Sequence, residues 1–369
     1  MRDLFFYGTL CHLPLLEIVL GKRASYINAI ATTLPDHAIY WAAEGAFPVI
    51  IEQQGAQASG ILLRDLTDQD VARLDFYEGG YDYFLAVKTL ADGATADVYF
   101  PEPGAATPTR AWSLTDWVRE WGELTCLAAT EAMTFSKTRT AKQIALMFPM
   151  IRARAGSTMA AKHSKHGAGT LDGKVDVLSK TRVYTDFFAV DRYELTHETF
   201  NGGTSAQLDR AVFVTADATI ILPYDPVRDR VLVVEQFRMG PIGRGDPKMW
   251  QYEPIAGRID AGETGAEAAI REAKEEAGLD ISVLESVAEL YPSPGTSTEF
   301  YYIYVGLADL PDDIEGINGL ETENEDIRTH VMTLDALLEM VDTMQAANGP
   351  LALLAYWVAR HRERLRGLA

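Results

Sequence analysis

One short stretch, residues 264–278, limits the fold more than any other, because both of its ends carry helix signals. Thr264 and Glu267 form the T-x-x-E pattern of a capping box, in which side chains bind the free amides of a first helical turn. Gly278 suits the left-handed backbone that ends many helices. We therefore predict a helix between these residues, with small side chains that allow close packing on a sheet.

Three glutamates of this helix, Glu272, Glu275 and Glu276, share one face. Like charges at this spacing weaken a helix by about 0.2–0.5 kcal/mol per pair. Arg271 can pair with Glu275, which leaves Glu272 and Glu276 without a cation from their own helix. Clustered carboxylates suit a hard divalent cation such as Mg²⁺. An exposed acidic face is the alternative that the helix alone leaves open.

A second face of the helix is predicted to be buried. At about 100° per residue, one stripe collects small and apolar residues. Its members are Ala266, Ala269, Ile270, Ala273 and Ala277.

The longer stretch GRIDAGETGAEAAIREAKEEAGL, residues 257–279, resembles the Nudix box, G-x5-E-x7-R-E-U-x-E-E-x-G-U, where U is bulky and apolar. The positions in register are Gly257, Glu263, Arg271, Glu272, Glu275, Glu276, Gly278 and Leu279. Ala273 is smaller than the usual residue, which is expected to alter packing rather than metal binding. The resemblance covers roughly residues 173–369 and implies a Nudix α/β/α sandwich.

The resemblance also implies a chemistry, the hydrolysis of a nucleoside diphosphate linked to a further group. The implied cofactor is Mg²⁺, with Mn²⁺ as the alternative. The implied metal ligands are Glu272 and Glu276, the assisting Glu275, and the backbone carbonyl of Ala256. Glu263 is expected to brace the loop before the helix, and Arg271 to orient one of the glutamates. Gly257 and Gly278 are expected to have structural roles.

Further residues resemble the ADP-ribose pyrophosphatase branch of that family. Pro294, fifteen residues after Leu279, stands where the branch has a marker proline, and Arg238 ends the apolar run VLVVEQFR. An arginine fork suits phosphate oxygens. A turn proline and a surface cation are the alternatives.

Three more glutamate positions follow from the same resemblance. GLETENEDI, residues 319–327, resembles the loop that carries the general base, which makes Glu323 the base and Glu325 an additional metal ligand. Glu253 in QYEPIAG matches a substrate-site glutamate. A solvated acidic loop is the alternative for 319–327. ADP-ribose is the expected substrate, with GDP-mannose or another nucleotide sugar as the alternative, and the branch implies a homodimer through roughly 181–220.

The first part of the chain resembles the γ-glutamylcyclotransferase-like (AIG2-like) fold, a small β-barrel, through LFFYGTL and LDFYEGGYDYF. The resemblance covers about 1–120. It implies that the loop Tyr7, Gly8, Thr9 and Leu10 binds a substrate carboxylate through backbone amides. It also implies that Glu78 is the base that releases 5-oxoproline. A domain that keeps the fold and only binds a ligand is the alternative.

Composition separates these parts. The stretch from Ala132 to Leu171 has no aspartate or glutamate. Near its end comes AGSTMAAKHSKHGAGT, residues 155–170, a composition that favours a flexible connector. A basic segment docked on an acidic face or a phosphate ligand is the alternative. We predict an α+β protein of two domains, 1–125 and 173–369, joined by a helical and flexible basic linker, 126–172.

Charge and cysteine content limit the partners. The formal net charge of −20 argues against nucleic acid and anionic membranes as partners. Two cysteines, and no apolar run near the ~20 residues of a membrane span, predict a cytoplasmic protein. A nucleotide sensor that binds without turnover is the competing functional class, against which the full set of carboxylates argues.

Overall fold

The computed structural model describes residues 2–80, 83–164, 167–319 and 325–368. Its contacts divide the chain into two compact units, Met1–Met159 and Ala160–Ala369. No helix within the described ranges is long and apolar enough to span a membrane.

The first unit is built on one six-stranded sheet. Its strands are β1 (Arg2–Phe6), β2 (Ala29–Ala42), β3 (Pro48–Leu66), β4 (Tyr83–Thr89), β5 (Thr95–Pro101) and β6 (Pro108–Ala111). The order across the sheet is β4-β5-β1-β3-β2-β6, in which β1 and β5 are parallel and the other neighbours antiparallel. Its helices are α1 (Leu13–Leu20), α2 (Asp68–Glu78), α3 (Leu114–Trp117), α4 (Glu123–Met133) and α5 (Ala141–Lys162).

The sheet of the first unit has a hydrophobic core on each face. Leu4 and Phe6 of β1 pack with residues of α1, α2 and α4, whereas Phe5 and the following Tyr7 point to the opposite core. This alternation is the two-residue period of a strand with both faces buried. The predicted Tyr7–Leu10 loop directly follows β1, so it lies at the end of a central strand.

Helices continue further along the first unit than the composition suggests. α3 begins at Ser113 as predicted, where the Ser113 hydroxyl accepts a hydrogen bond from the Asp116 amide. α5 has 22 residues and buries side chains that include Ile144, Met147 and Ile151. α5 is the helical part of the predicted linker, and the stretch from Ala155 that was expected to be flexible is helical as far as Lys162, because apolar residues spaced along the basic stretch give the helix a buried face.

Within the described residues, the second unit contains two sheets. Its strands are β7 (Val175–Thr185), β8 (Ala189–His197), β9 (Leu208–Val214), β10 (Ala218–Asp225), β11 (Arg230–Phe237), β12 (Trp250–Glu253), β13 (Ile255–Arg258), β14 (Val283–Leu290), β15 (Tyr301–Leu307), β16 (Ile317–Asn318) and β17 (Ile327–Thr333). β7, β8 and β9 form a separate antiparallel sheet, and the larger sheet runs β14-β15-β10-β11-β17-β16. The helices are α6 (Met239–Arg244), α7 (Gly265–Ala277), α8 (Leu334–Asp342) and α9 (Gly349–Arg366).

The larger sheet lies between helices. Leu232 and Val234 of β11 pack in the core that contains the alanines of α7, and Val231 and Val233 pack in the core that contains residues of α8 and α9. The unit is therefore an α/β/α sandwich, as predicted.

The middle of this sheet is open. β10 and β11 pair only at Tyr224–Val231 and Asp225–Arg230, and then separate. β13 pairs with β10 and β12 pairs with β11 in the space between them. Glu253 and Ala256 belong to these two short strands, so the opening positions two of the predicted site residues.

Candidate active site

The predicted helix is present as α7, and both of its end signals are confirmed. The Thr264 hydroxyl accepts from the Glu267 amide, and the Glu267 carboxylate accepts from the Thr264 amide, which completes the capping box. Gly278 has φ +64 and ends the helix in the left-handed region. These ends fix the rotation of the glutamates about the helix axis.

The buried face of α7 differs from the predicted stripe. Ala269, Ala273 and Ala277 are buried as expected, but Ile270 is 48% exposed and Glu276 is only 2% exposed. The buried face is rotated toward the glutamates, because the helix packs against the open middle of the sheet. Glu276 therefore points into the domain rather than toward solvent.

Arg271 forms a hydrogen-bonded centre for the loop and the helix. Its Nε and Nη2 donate to the two oxygens of Glu263 at 2.9 Å each, and Nη2 also donates to the Arg258 carbonyl at 3.1 Å. Nη1 donates to Glu272 Oε1 at 2.7 Å and to Glu275 Oε2 at 3.0 Å. The expectation that Glu272 has no cation on its own helix is therefore wrong, since the guanidinium fork spans adjacent residues.

Gly257 gives the Glu272 carboxylate its place. A β-carbon on Gly257 would lie 1.8 Å from Oε1 of Glu272, a distance that excludes any side chain. Gly257 follows Ala256 on β13, and Ala256 pairs with Ile220 of β10. The Glu272 carboxylate thus lies directly against the strand that carries the Ala256 carbonyl.

Two glutamates in this site have strongly raised pKa values. Burial, with the charges of Glu272 and Glu325, raises the pKa of Glu276 well above its ordinary value. Burial also raises the pKa of Glu272 to about 7, although Arg271 acts in the opposite direction. Oε2 of Glu276 is buried and has no hydrogen-bond partner within the described part of the chain. A buried carboxylate oxygen without a partner is costly unless a cation or donor completes it.

Arg238 and Glu253 form an ion pair at the edge of the opening. Arg238 follows β11, and its Nε and Nη2 lie 2.8 and 2.7 Å from Glu253 Oε2. Both Glu276 and Glu325 interact electrostatically with Arg238. The two residues therefore lie close to the carboxylates of α7.

Three residues that sequence reasoning missed lie in this region. The Tyr301 hydroxyl donates to Glu299 Oε2 at 3.2 Å, and both residues interact electrostatically with Arg238. Gln236 is buried on β11, two residues before Arg238. Alternation along VLVVEQFR assigns Gln236 to the face of Arg238, but the sequence does not reveal which face meets α7.

The other predicted positions have different outcomes. Glu325 acts electrostatically on Glu272 and Glu276, and a β-carbon on Gly319 would lie 2.8 Å from the Glu325 β-carbon. Glu323 lies outside the described residues. Pro294 is exposed in a turn in which the Thr296 and Ser297 amides donate to the Ser293 carbonyl.

The arrangement fits a divalent cation in its donor chemistry. Carboxylate oxygens of Glu272 and Glu276 are hard ligands, and Oε2 of Glu276 lacks a protein partner. Among the residues that the structure describes, no three acidic, histidine or cysteine side chains form a metal-binding group by themselves. The predicted ligand set also uses a backbone carbonyl, so its completeness stays a prediction.

The first unit has a smaller candidate site at the end of β1. Burial raises the pKa of Glu78, the last residue of α2, to about 7. Burial is the main cause of the raised pKa values of Tyr7 and Tyr99, to which Tyr83 and Asp75 respectively also contribute; the charge of Glu78 adds a smaller effect on both, so Glu78 lies near both residues. A β-carbon on Gly8 would lie 2.6 Å from Cγ of Pro48, which explains the glycine between Tyr7 and Thr9.

Two family models match the chain. One, described as NUDIX domain, matches residues 214–353, and the other, described as gamma-glutamyl cyclotransferase, AIG2-like, matches residues 4–119. Both predicted resemblances and the predicted two-domain fold class are thereby confirmed.

Several curated proteins are similar to the C-terminal half. An ADP-ribose pyrophosphatase of Escherichia coli (strain K12) is 35% identical over 192 residues, which are 52% of this chain and 91% of the relative. An ADP-ribose pyrophosphatase of Haemophilus influenzae is 31% identical over 196 residues, 52% of this chain and 89% of the relative. A GDP-mannose pyrophosphatase of Enterobacter sp. (strain 638) is 30% identical over 188 residues, 50% of this chain and 94% of the relative.

One solved structure, of an ADP compounds hydrolase, aligns with a TM-score of 0.40 and 22% identity. It covers 53% of this chain and 98% of the solved chain.

Proposed function

The chain belongs to the Nudix hydrolases, and from this premise we propose that its second unit hydrolyses ADP-ribose to AMP and ribose 5-phosphate with Mg²⁺. The observation that carries the proposal is the buried Glu276 carboxylate, whose Oε2 has no hydrogen-bond partner in the described residues, beside Glu272. Such an oxygen is expected to bind a cation.

The proposed metal site uses Glu272, Glu276 and the Ala256 carbonyl, with Glu275 and Glu325 assisting. Mn²⁺ is the alternative ion. When bound, the ion would neutralise charge that develops on phosphorus and lower the pKa of an attacking water. Arg271 and Gly257 hold the Glu272 carboxylate in place for this role.

The chain's own groups would then bind the diphosphate and move the proton. Arg238 presents a guanidinium fork beside the carboxylates, and that geometry suits phosphate oxygens. Glu253 holds the fork, since it accepts from two of its nitrogens. We propose Glu323 as the general base that takes the proton of the attacking water, and Pro294 as part of the substrate site.

ADP-ribose is proposed because relatives with that name reach 35% identity. A GDP-mannose pyrophosphatase at 30% identity supports a second nucleotide sugar as the alternative. Chromatography of products from ADP-ribose and GDP-mannose, with Mg²⁺ and with EDTA, separates the two. AMP released only with Mg²⁺ supports the proposal. Tight binding of ADP-ribose without product would instead support the nucleotide sensor.

A homodimer is proposed through the sheet of β7, β8 and β9. Val183, Tyr184 and Phe187, within the predicted segment of roughly 181–220, are each more than half exposed, so they present apolar side chains that a second copy can cover. Val183→Lys is expected to convert the dimer to monomer in size-exclusion chromatography with light scattering. Val227→Lys, in an exposed turn outside this sheet, is the control and is expected to keep the dimer.

For the first unit we propose a γ-glutamyl cyclotransferase activity, because the family model of that description matches residues 4–119 and burial raises the pKa of Glu78, near Tyr7, to about 7. A base with that pKa is half ionised near neutral pH, which suits proton transfer from a substrate amine. Release of 5-oxoproline from γ-glutamyl compounds tests this. Its absence, with ligand binding retained, would favour a binding domain.

The cytoplasmic location, the absence of nucleic-acid and membrane partners, and the domain limits at 125 and 172 stay predictions.

A further inference from the structure

We infer that Gln236 is a substrate-binding residue whose side-chain amide donates a hydrogen bond to an oxygen of the substrate's diphosphate. The inference rests on the proposed function of the second unit, and adds a residue to which neither the sequence pattern nor the family match assigns a role.

The strand geometry places Gln236 on the face of the larger sheet that α7 covers. Along β11, Leu232 and Val234 pack in the core beneath α7. Successive side chains of a strand alternate between faces, so Gln236 and Arg238 continue the same row. Gln236 therefore lies between the packed core and the arginine that pairs with Glu253.

The neighbouring strands place acidic residues around this position. Gln236 pairs with Gln251 of β12, and Val234, next in the row, pairs with Glu253. On the other side, β17 begins at Ile327, which packs in the α7 core, and Glu325 precedes it by two residues. The charges of Glu253, Glu276 and Glu325 act to raise the pKa of Arg238, so this end of the row lies near the carboxylates.

Gln236 carries an unused donor in these surroundings. The residue is 8% exposed, and its Nε2 is buried without a hydrogen-bond partner in the described part of the chain. Leaving a buried donor unsatisfied costs roughly 1–3 kcal/mol, so such groups are rare in native proteins without a reason. A ligand that completes the hydrogen bond supplies that reason.

The charge balance of the site indicates what kind of ligand this is. Its carboxylates repel a diphosphate, and the Arg238 fork already donates to Glu253. Beside this cationic fork, a phosphate oxygen can take a further hydrogen bond from a neutral donor that is not committed to a carboxylate. Gln236 is such a donor next to the arginine.

The test compares Gln236→Met with Gln251→Met. Both replace an amide by an apolar chain of similar length on the same rung, but the Gln251 amide is already bound to the Lys248 carbonyl at 2.8 Å. Gln236→Met is expected to lower kcat/KM for ADP-ribose by about tenfold to a hundredfold, the range of a hydrogen bond to a charged group. Gln251→Met is expected to change it less than threefold.

Thermal stability separates a binding role from a structural one. Because the donor is unsatisfied without ligand, Gln236→Met is expected to keep or raise Tm in the absence of substrate. Gln236→Glu, which replaces the donor by an anion, is expected to lower kcat/KM further. A wild-type kcat/KM in Gln236→Met, an equal loss in Gln251→Met, or a Tm lowered by more than 5 °C would each overturn the inference.

Inorganic pyrophosphate distinguishes failure of the inference from failure of the proposed substrate. If the wild type does not hydrolyse ADP-ribose, binding of pyrophosphate with Mg²⁺ to the full chain is measured instead by calorimetry. Weaker binding to Gln236→Met than to Gln251→Met then supports the inference. Equal binding to both, or none to the wild type, overturns it.

Discussion

Glu276 has two properties that are unfavourable together in a protein without ligands. Its side chain is almost fully buried, and one of its oxygens has no hydrogen-bond partner among the described residues. Burial disfavours the charged form and raises its pKa. Glu276 is therefore a group whose environment disfavours its charged form, and perturbed groups of this kind cluster at functional sites.

Glu276→Gln is expected to abolish Mg²⁺-dependent AMP release and to leave Tm at or above that of the wild type. The amide is neutral, so it removes a buried ionisable group, and it is a poor ligand for Mg²⁺. Product chromatography and differential scanning calorimetry measure the two effects. Wild-type turnover in this variant would remove Glu276 from the metal site.

Gly257→Ala is expected to reduce activity at least a hundredfold and to lower the free energy of unfolding by about 1–3 kcal/mol, since its methyl group overlaps Glu272. Denaturant titration and the AMP assay check this. Gly349→Ala is the control, because a β-carbon there meets no atom within 4 Å and φ is not positive. An active Gly257→Ala would mean that Glu272 can move without loss of function.

Glu78→Gln is expected to remove a pH dependence of stability. The folded pKa of about 7 lies above the ordinary value of 4.5, so the folded protein binds a proton that the unfolded chain releases between these values. This group's contribution is therefore full below about pH 4.5 and lost as pH rises through 7. Chemical denaturation at pH 5 and pH 8 should show a smaller difference in the variant; an unchanged difference would contradict the raised pKa.

At the scale of residues, the resemblance to the Nudix box identified the members of the box. Glu272, Glu276 and Gly257 follow from a one-dimensional pattern, because one helix and its preceding loop carry them all. Gln236 and Glu299 were missed, because their place near Arg238 depends on which strand face meets α7. Ile270 was placed on the wrong side, since the buried face depends on the opening in the sheet rather than on average hydrophobicity.

Among the elements, α5 shows how packing can exceed the signal in composition. Gly80, after α2, lies so close to α5 that a β-carbon on it would be 2.8 Å from the Ala145 β-carbon. Arg154 of α5 is 3% exposed, and its Nη2 lies 2.6 Å from Glu131 Oε1 on α4. The basic, acid-free segment 132–171 looks solvated in sequence because its partner carboxylate, Glu131, lies one residue outside it.

Arg154→Met is expected to lower the free energy of unfolding by about 3–5 kcal/mol, because it leaves the Glu131 carboxylate partly buried and without this partner. Adding Glu131→Gln should recover part of the loss. Arg152→Met is the matched control; Arg152 stacks over Trp121 at 5.4 Å, and its loss should cost about 0.5–1 kcal/mol. Equal effects of the two arginine variants in denaturant titration would contradict the buried ion pair.

For the whole molecule, the two compact units make separate responses to ligand testable. Mg²⁺ with a non-hydrolysable ADP-ribose analogue at a hundred times Kd is expected to add about 2.7 kcal/mol to the free energy of unfolding of one unit. The midpoint temperature of only one of two thermal transitions should therefore rise. Scanning calorimetry of the full chain, with EDTA as the control, measures this. The transition that does not respond is assigned to the first unit, and a shift of both transitions would mean that the units unfold together.

At this scale the sequence was informative about content and less so about limits. The YGTL loop directly follows β1, and most of the box lies on α7. Each motif is therefore continuous in sequence, and a short pattern is enough to identify each domain. The division at 159/160 falls inside α5, a limit that no local sequence pattern marks. The three-stranded sheet was readable as strands, but its separation from the larger sheet was not.

The length of the chain between Trp250 and Arg258 is tightly constrained. β12 pairs with β11, β13 pairs with β10, and only Pro254 lies between β12 and β13. One inserted or deleted residue would turn every following side chain to the opposite surface. Homologues should therefore vary in length elsewhere, for example between Met239 and Lys248, and keep the count from Glu253 to Gly257 constant. A library of single-residue insertions across this domain would show the difference as a sharply bounded zone of intolerance.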